Sequence, residues 1–267
     1  MRLQNLAAGL ALLMASACAS QVQTTSGTEY LARYDGAYSA LAGGSSEVDS
    51  QVREIAAVEP DIRFPARIGL ARIEGGQLVS IPAREAEAWA ALTENLDGLY
   101  GEFVPVSPLI AAMVAPEGTK PRYEYTASDT MADIRRGAAR QHLDYVLAYE
   151  VSTSNRAKGS ALSFADLTII GMFVLPGRSV QAEAAASGIL IDVRNGYPYA
   201  TMTAFADKKG LSRTINTWRV KRDLMRNASA KAVLELAGEL RGSLEKLAVA
   251  GTSKDVGSGT ETQEEGS

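Results

Sequence analysis

The stretch Leu190-Ile191-Asp192-Val193-Arg194-Asn195-Gly196 decides the fold. Asn-Gly is the strongest short hairpin signal, because both residues accept the positive φ that a two-residue type I′ turn demands. Upstream, Ser179 to Val193 reads as one long extended segment; downstream, Tyr197 to Ala206 reads as its partner. Before them, Leu167 to Leu175 (LTIIGMFVL) is an apolar run closed by Pro176-Gly177. It is too short for a membrane helix and rich in strand formers, so it is expected as a central strand. Three antiparallel strands in a meander follow from this reading.

Working outward, the elements alternate. Ala66 to Ile73 (ARIGLARI) is expected as a strand, with Gly75-Gly76 as its turn. Pro82 suits a first helical turn, and Trp89, Leu92, Leu96 and Leu99 give the helix after it one buried stripe. Phe103 to Val106 resumes extended structure. Ser128, Asp129 and Thr130 precede Met131, with Asp133 three beyond Thr130, which reads as a capping-box start; Ile134, Ala138 and His142 continue the inner face. Tyr145 to Val151 is the next strand. Asp223 is expected to cap a final helix in which Val233, Leu236, Leu240, Leu244 and Leu247 face inward while Lys231, Glu235, Glu239 and Glu245 face water. The order βαβαβββα implies an α+β (mixed α/β) fold, a mixed sheet with helices packed on it.

The amino terminus carries a different message. Met1 and Arg2 lead into the apolar run Leu6 to Met14, then Ala15-Ser16-Ala17, then the only cysteine, Cys18. A dozen apolar residues suit a signal-peptide core and fall short of the roughly 20 needed to span a bilayer. Ala15-Ser16-Ala17 also fits an ordinary A-x-A secretory cleavage site, which would leave Cys18 free. An exported chain with one cysteine has no partner for an internal disulfide, and a thioether lipid gives Cys18 a use. The expected organisation is a signal peptide at 1–17, a lipidated tether at 18–29, an arm at 30–60 packed partly on the body, one α/β domain at 61–250 and a disordered tail at 251–267.

Composition narrows the function classes. The chain is 46% apolar and 22% charged, with a mean hydropathy of -0.05, which is globular and excludes an integral membrane bundle. Net charge is -4, and loss of Arg2 with the signal makes it -4 - 1 = -5. That argues against nucleic acid as a partner. One His and one Cys supply no set of soft ligands for zinc, so neither metal nor cofactor is expected.

A bacterial lipoprotein signal resembles residues 1–18, and in that pattern Cys18 takes a diacylglyceryl thioether and becomes the mature N-terminus. The body from Phe64 to Ala250 resembles the rhombotarget-type lipoproteins. More broadly, it is similar to the α/β domain shared by the curli secretion lipoprotein, the amino-terminal domain of the Tol propeller protein and the lipoprotein activators of penicillin-binding proteins. The carrying residues are Phe64-Pro65-Ala66-Arg67-Ile68-Gly69, Leu143-Asp144-Tyr145-Val146-Leu147, Leu167-Thr168-Ile169-Ile170-Gly171 and the hairpin segment 190–196. The ending Glu264-Glu265-Gly266-Ser267 departs from the Gly-Gly, hydrophobic and basic tail of the rhombotarget group. The resemblance implies no catalytic residue, an address at the periplasmic face of the outer membrane, and an envelope protein as partner. Ala19, in place of the aspartate that retains many lipoproteins at the inner membrane of enteric-type bacteria, agrees with that address.

Remaining chemistry is sparse. Ser243 and Lys246 have S-x-x-K spacing, without S-D-N or K-T-G, and read as the polar flank of the last helix. His142 could act as a general base, but no nucleophile stands beside it in sequence. Lys208, Lys209, Arg213, Arg219, Lys221, Arg222 and Arg226, with Trp218 among them, face only Asp207 and Asp223. This local excess of cations is the candidate contact surface for an acidic partner or anionic headgroups, with a solvated loop as the plainer reading. The expected function is a lipid-anchored, non-enzymatic adaptor or accessory subunit of an envelope assembly or transport system. An oligomeric secretion-pore lipoprotein and a cryptic hydrolase are the alternatives.

Overall fold

The structure, a computed structural model, describes residues 19–33, 47–116, 121, 124–153, 182–207 and 218–258. It is an α+β fold in which helices pack on one mixed sheet. In chain order the elements are β1 (Ala19–Val22), α1 (Gly27–Ala32), α2 (Glu47–Ala56), β2 (Ala66–Glu74), β3 (Gln77–Val79), α3 (Ala83–Leu96), β4 (Gly101–Pro105), α4 (Pro108–Met113), α5 (Ala127–Arg140), β5 (Tyr145–Thr153), β6 (Ala182–Asp192), β7 (Pro198–Asp207) and α6 (Trp218–Ser258). The strand order is β1-β7-β6-β5-β2-β3, with β4 also on β2. The three strands linked by helical crossovers, β2, β4 and β5, are parallel, and the hairpins β2–β3 and β6–β7 are antiparallel.

The hairpin expected at Asn195-Gly196 joins β6 to β7, but through a five-residue connection, 193–197, in which Gly196 alone is left-handed at φ 79, so it is not the two-residue type I′ turn. β5 and β7 pair with the two edges of β6, antiparallel on both sides. Leu167 to Leu175, expected as a central strand, lies outside the described residues.

Alternation along the strands divides the core. Ile68, Leu70, Tyr145, Leu147, Tyr149, Ala184, Ala186 and Leu190 face α3 and α6, while Ala71, Ile73, Val146, Ala148 and Ile191 face the side of α5. On α6, Val233, Leu236, Leu240, Leu244 and Leu247 are all fully buried. They rest on a floor of small residues, Ala184, Ala186, Ala204 and Ala206. At Gly188 an added Cβ would lie 3.1 Å from Leu147 Cδ1 and 3.6 Å from Leu236 Cδ2. The helix can sit this close because the floor has almost no side chains to lift it.

Several boundaries differ from the sequence reading. α3 ends at Leu96 because Asp97 turns into the left-handed region at φ 44, so Leu99 falls beyond the helix and is exposed. The capping box of α5 is Thr126 with Asp129, four residues before the expected Thr130 and Asp133; both reciprocal bonds form there, and Thr130 instead donates its hydroxyl to the Gly76 carbonyl. α6 begins at Trp218, which places Asp223 inside the helix rather than at its cap, and it runs to Ser258, past the expected end at Ala250. Residues 259–267 lie outside the described residues.

The expected tether is also largely structured. Ala19–Val22 form an edge strand antiparallel to β7, with Ala19 opposite Thr203 and Val22 opposite Ala200. Composition showed a polar segment unable to build a core of its own, whereas the open edge of β7 supplies its backbone with ready partners. Just after it, Glu59 accepts from the Thr28 amide at 2.8 Å, the Thr28 hydroxyl at 2.7 Å and the Ser26 hydroxyl at 3.0 Å, fixing the start of α1. These bonds, the Thr28 amide first, hold the Glu59 carboxyl below its ordinary value. No described helix is long and apolar enough to cross a membrane.

Two measurements check this packing. Leu240→Ala should lower stability by ~2–5 kcal/mol, since the lost side chain leaves a cavity over a floor that cannot rise to fill it. Ala204→Val should cost ~1–3 kcal/mol by overpacking. Both are read from urea midpoints at constant slope. For Glu59 the lowered value means that the bonds stabilise above the ordinary glutamate range and are lost as pH falls through it. Amide exchange in α1 should therefore accelerate on acidification before the sheet does, and Glu59→Ala should remove that pH dependence.

Candidate functional site

The carboxyl ends of the parallel strands β2, β4 and β5 point to one pole of the sheet, the place where open α/β sheets usually form ligand crevices. A cleft of about 550 Å³ opens there, between the ends of β2 and β5, the first turn of α3 and the early turns of α6. Its walls include Glu74, Arg84, Thr153, Met225, Arg226 and Ser229, and its floor is made by Arg72 and Glu85.

Alternation along β2 explains the floor. Ile68, Leu70 and Arg72 share the face turned to α3 and α6, so a charged side chain takes a core position, 5% exposed. Burying a guanidinium there requires a partner. Glu85, in the first turn of α3 and 4% exposed, supplies it through an ion pair of 2.9 Å from Arg72 Nε to Oε2. Arg72 Nη1 also donates to the Ile73 carbonyl. Tyr149, opposite Arg72 in the β2–β5 register, donates its hydroxyl to the same Glu85 oxygen at 3.1 Å. Its ring lies 5.7 Å from the Arg72 guanidinium and packs edge-on to Trp89 at 5.2 Å. Burial first, and the Glu85 carboxylate second, push the Tyr149 phenol far above its ordinary value, so it remains a hydrogen-bond donor.

At the rim, the Arg84 guanidinium donates to Asn227 Oδ1 and so links the start of α3 to α6. Arg226 is exposed and stands 3.9 Å from the equally exposed Asp223. The cleft thus offers a self-neutralised floor beneath a rim bearing two guanidiniums and Glu74. This arrangement can orient a small polar or anionic group. Among the described residues, no cluster of three or more His, Cys, Asp or Glu side chains could hold a metal. A second, shallower groove of about 380 Å³ runs between α3 and β4, lined by Ile81, Trp89, Phe103 and Pro105.

The residues singled out from sequence fall as follows. Cys18, Lys208, Lys209 and Arg213 lie outside the described residues. Trp218, Arg219 and Lys221 open α6, and Arg222 is exposed on its second turn, just before the Met225 and Arg226 wall of the cleft. The structure therefore brings the end of the basic stretch to the same pole as Arg84. His142 is exposed, not an inner-face residue. It sits at φ 55, just past α5, where its amide donates to Ala139 and that of Leu143 to Ala138, closing the helix in a Schellman turn. Ser243 is fully buried, not on a polar flank, and gives its hydroxyl to the Glu239 carbonyl at 2.9 Å, while Lys246 is exposed. Arg72, Arg84 and Glu85 escaped the sequence reading. The one signal was a positive charge at an inward position of an otherwise apolar strand.

No family model matches the chain, and no curated protein does. Among solved structures, the chain is similar to two structures of the PelC dodecamer from Paraburkholderia phytofirmans. One is 16% identical over 66% of this chain and 91% of that one, with a TM-score of 0.30. The other is 15% identical over 64% and 87%, with a TM-score of 0.26. A bacterial aryl acylamidase of the amidase signature family is 12% identical over 74% of this chain and 50% of that one, with a TM-score of 0.20. Scores this low assign neither fold nor function.

Two outcomes test the floor of the cleft. Arg72→Met should destabilise by ~3–5 kcal/mol because Glu85 stays buried without its cation, and the double variant Arg72→Met/Glu85→Leu should recover much of that loss. Tyr145, Tyr149, Tyr197 and Tyr199 are all raised by burial. Their contribution is intact below about pH 10 and is lost as pH rises, since the unfolded chain ionises there and the folded one does not. Tyrosinate absorbance should therefore show a fraction of phenols that ionise only together with the loss of near-ultraviolet dichroism.

Proposed function

We propose that the chain is a lipid-anchored envelope protein, held through Cys18 at the periplasmic face of the outer membrane, whose α/β body serves as a non-enzymatic adaptor or accessory subunit. The observation that carries this reading is the order of the first residues: a short apolar run, Ala15-Ser16-Ala17, then the only cysteine. The start of β1 supports it, since cleavage before Cys18 leaves every described strand and helix intact. Two or three acyl chains on that cysteine hold a protein at a bilayer essentially permanently, whereas one holds it marginally.

The partner surface in this reading is the basic stretch, Lys208, Lys209, Arg213, Trp218, Arg219, Lys221 and Arg222. In a mature chain of charge near -5 it makes the molecule electrically polar, and exposed charges of one sign steer encounters over a Debye length of ~8 Å at physiological salt.

Mass spectrometry of the N-terminal peptide tests the anchor. The expected species is Cys18 carrying lipid, and a bare Cys18 would establish the ordinary secretory alternative. Density-gradient fractionation should place the protein with outer membranes, and residence wholly in inner membranes would overturn the address. For the partner surface, Lys208, Lys209, Arg219 and Arg222 are replaced together by Ser. Capture of cross-linked envelope partners should weaken and lose its salt dependence at nearly unchanged melting temperature, and undiminished capture would return the stretch to an ordinary solvated loop.

A further inference from the structure

We infer that the cleft at the carboxyl ends of β2 and β5 is a binding site for a small zwitterion of the α-amino acid class, its carboxylate on the first turn of α3 and its ammonium on Glu85 and Glu74. The inference is independent of the lipid anchor and of the basic stretch. It starts from two buried side chains whose hydrogen-bonding capacity is only partly used. The Arg72 and Glu85 side chains are 6% and 5% exposed. Arg72 donates from Nε to Glu85 and from Nη1 to the Ile73 carbonyl, and its Nη2 bonds no described residue. Glu85 accepts from Arg72 and Tyr149 through Oε2 alone, and its Oε1 bonds no described residue. Both side chains line the cleft, so the open donor and the open acceptor meet a ligand from there.

α3 adds a second, independent set of donors. Its N-cap is Pro82, which has no side-chain acceptor for the first turn. The Glu85 and Ala86 amides both turn back to the Pro82 carbonyl, at 2.9 Å each, while the Ala83 and Arg84 amides bond no described residue. Pro82, Ala83 and Arg84 all border the cleft, so these amides and the positive end of the helix dipole open on it beside Arg72. A carboxylate suits that combination, since its two oxygens accept from several donors at once.

The charges decide between a plain anion and a zwitterion. Arg72 is matched by Glu85, and Arg226 stands 3.9 Å from Asp223, while Arg84 bonds the neutral Asn227 and the exposed Glu74 carboxylate bonds no described residue. Positive and negative groups at the cleft therefore balance, and a phosphate dianion drawn to the amides would be repelled by Glu85 and Glu74. A ligand carrying one charge of each sign meets both. Arg72 and Glu85 are joined at 2.9 Å, so the donor and acceptor they leave over belong to touching groups, as the carboxylate and ammonium of an α-amino acid share one carbon. The volume of about 550 Å³ falls in the range of small-ligand pockets, ~300–1,000 Å³, and Met225, Thr153 and Ser229 remain for the ligand's side chain.

Titration calorimetry of the full-length protein with the standard L-amino acids, one at a time at millimolar concentration, tests the site. At least one should bind. Its amide and its N-acetyl derivative, which lack the carboxylate and the ammonium respectively, should each bind about tenfold more weakly, the loss of one charge-assisted contact. Two variants report on the two ends without touching the buried pair. Ala83→Pro deletes one amide while keeping the first helical turn, because proline suits that position and Pro82 already has the extended backbone, φ -60 and ψ 144, that a following proline requires. It should weaken the amino acid about tenfold at an unchanged or raised melting temperature. Glu74→Gln should weaken it several-fold by removing one partner of the ammonium. No binding by any amino acid, blocked derivatives that bind as tightly as the parent, or an affinity unchanged in both variants would overturn the site.

Discussion

The seating of α6 on the alanine floor of β6 and β7 is the constraint from which the rest of the structure follows. A segment reading Ala-Glu-Ala-Ala-Ala-Ser-Gly has little intrinsic preference for a strand. It is held as one because β5 and β7 saturate both its edges and because any larger side chain would lift the leucines of α6 away from it. Each leucine at full burial contributes about 1.5–3 kcal/mol, and the stripe supplies four of them with Val233 besides. Local propensity is overruled by tertiary packing, and the small residues are the means by which packing is made tight.

Close packing on one face has a polar consequence at each end of the sheet. At the amino-terminal end of the parallel strands, phenols reach past the core to tie down the incoming chain. Tyr145 accepts from the Arg63 amide at 2.7 Å, Tyr199 from the Asp61 amide at 2.8 Å, and Tyr197 donates to the Thr25 carbonyl at 2.9 Å. Asp192, fully buried, holds Arg194 through both carboxylate oxygens, and Arg194 passes the contact on to the Asp61 carbonyl. This hydrogen bonding to Asp192 raises the guanidinium further still, so Arg194 stays cationic at any working pH. At the carboxyl end the corresponding buried charge, Arg72, is matched by one carboxylate and one phenol, and the space above them stays open.

How much of this was legible in the sequence depends on whether the cause was local. The hairpin's place was legible from Asn195-Gly196, though its five-residue connection was not; so was the α6 stripe, because Val233 to Leu247 repeats with helical period. The capping box of α5 was read four residues late because Thr130 and Asp133 repeat the spacing of Thr126 and Asp129, and only the bonds formed between Thr126 and Asp129 distinguish the pairs. β1 and the floor of the cleft were not legible. Ala19–Val22 becomes a strand through the open edge of a segment some 180 residues away, and Arg72 becomes a site residue only when β5 brings Tyr149 beside it. Helix ends set by a single left-handed residue, Asp97 or His142, lie between these cases, since neither is a glycine that announces the turn.

The two ends of the sheet therefore differ in what they leave unspent. The phenol end has committed its hydroxyls, its aspartate and its arginine to holding residues 59–63 and the hairpin, and a ligand there would have to displace bonds already made. The cleft end has committed its floor, while on its rim Arg84 is bonded to Asn227, Arg226 makes only a long, exposed ion pair with Asp223, and Arg222 is exposed. Exposed like charges on a folded surface carry a cost in mutual repulsion that an anionic surface or partner relieves.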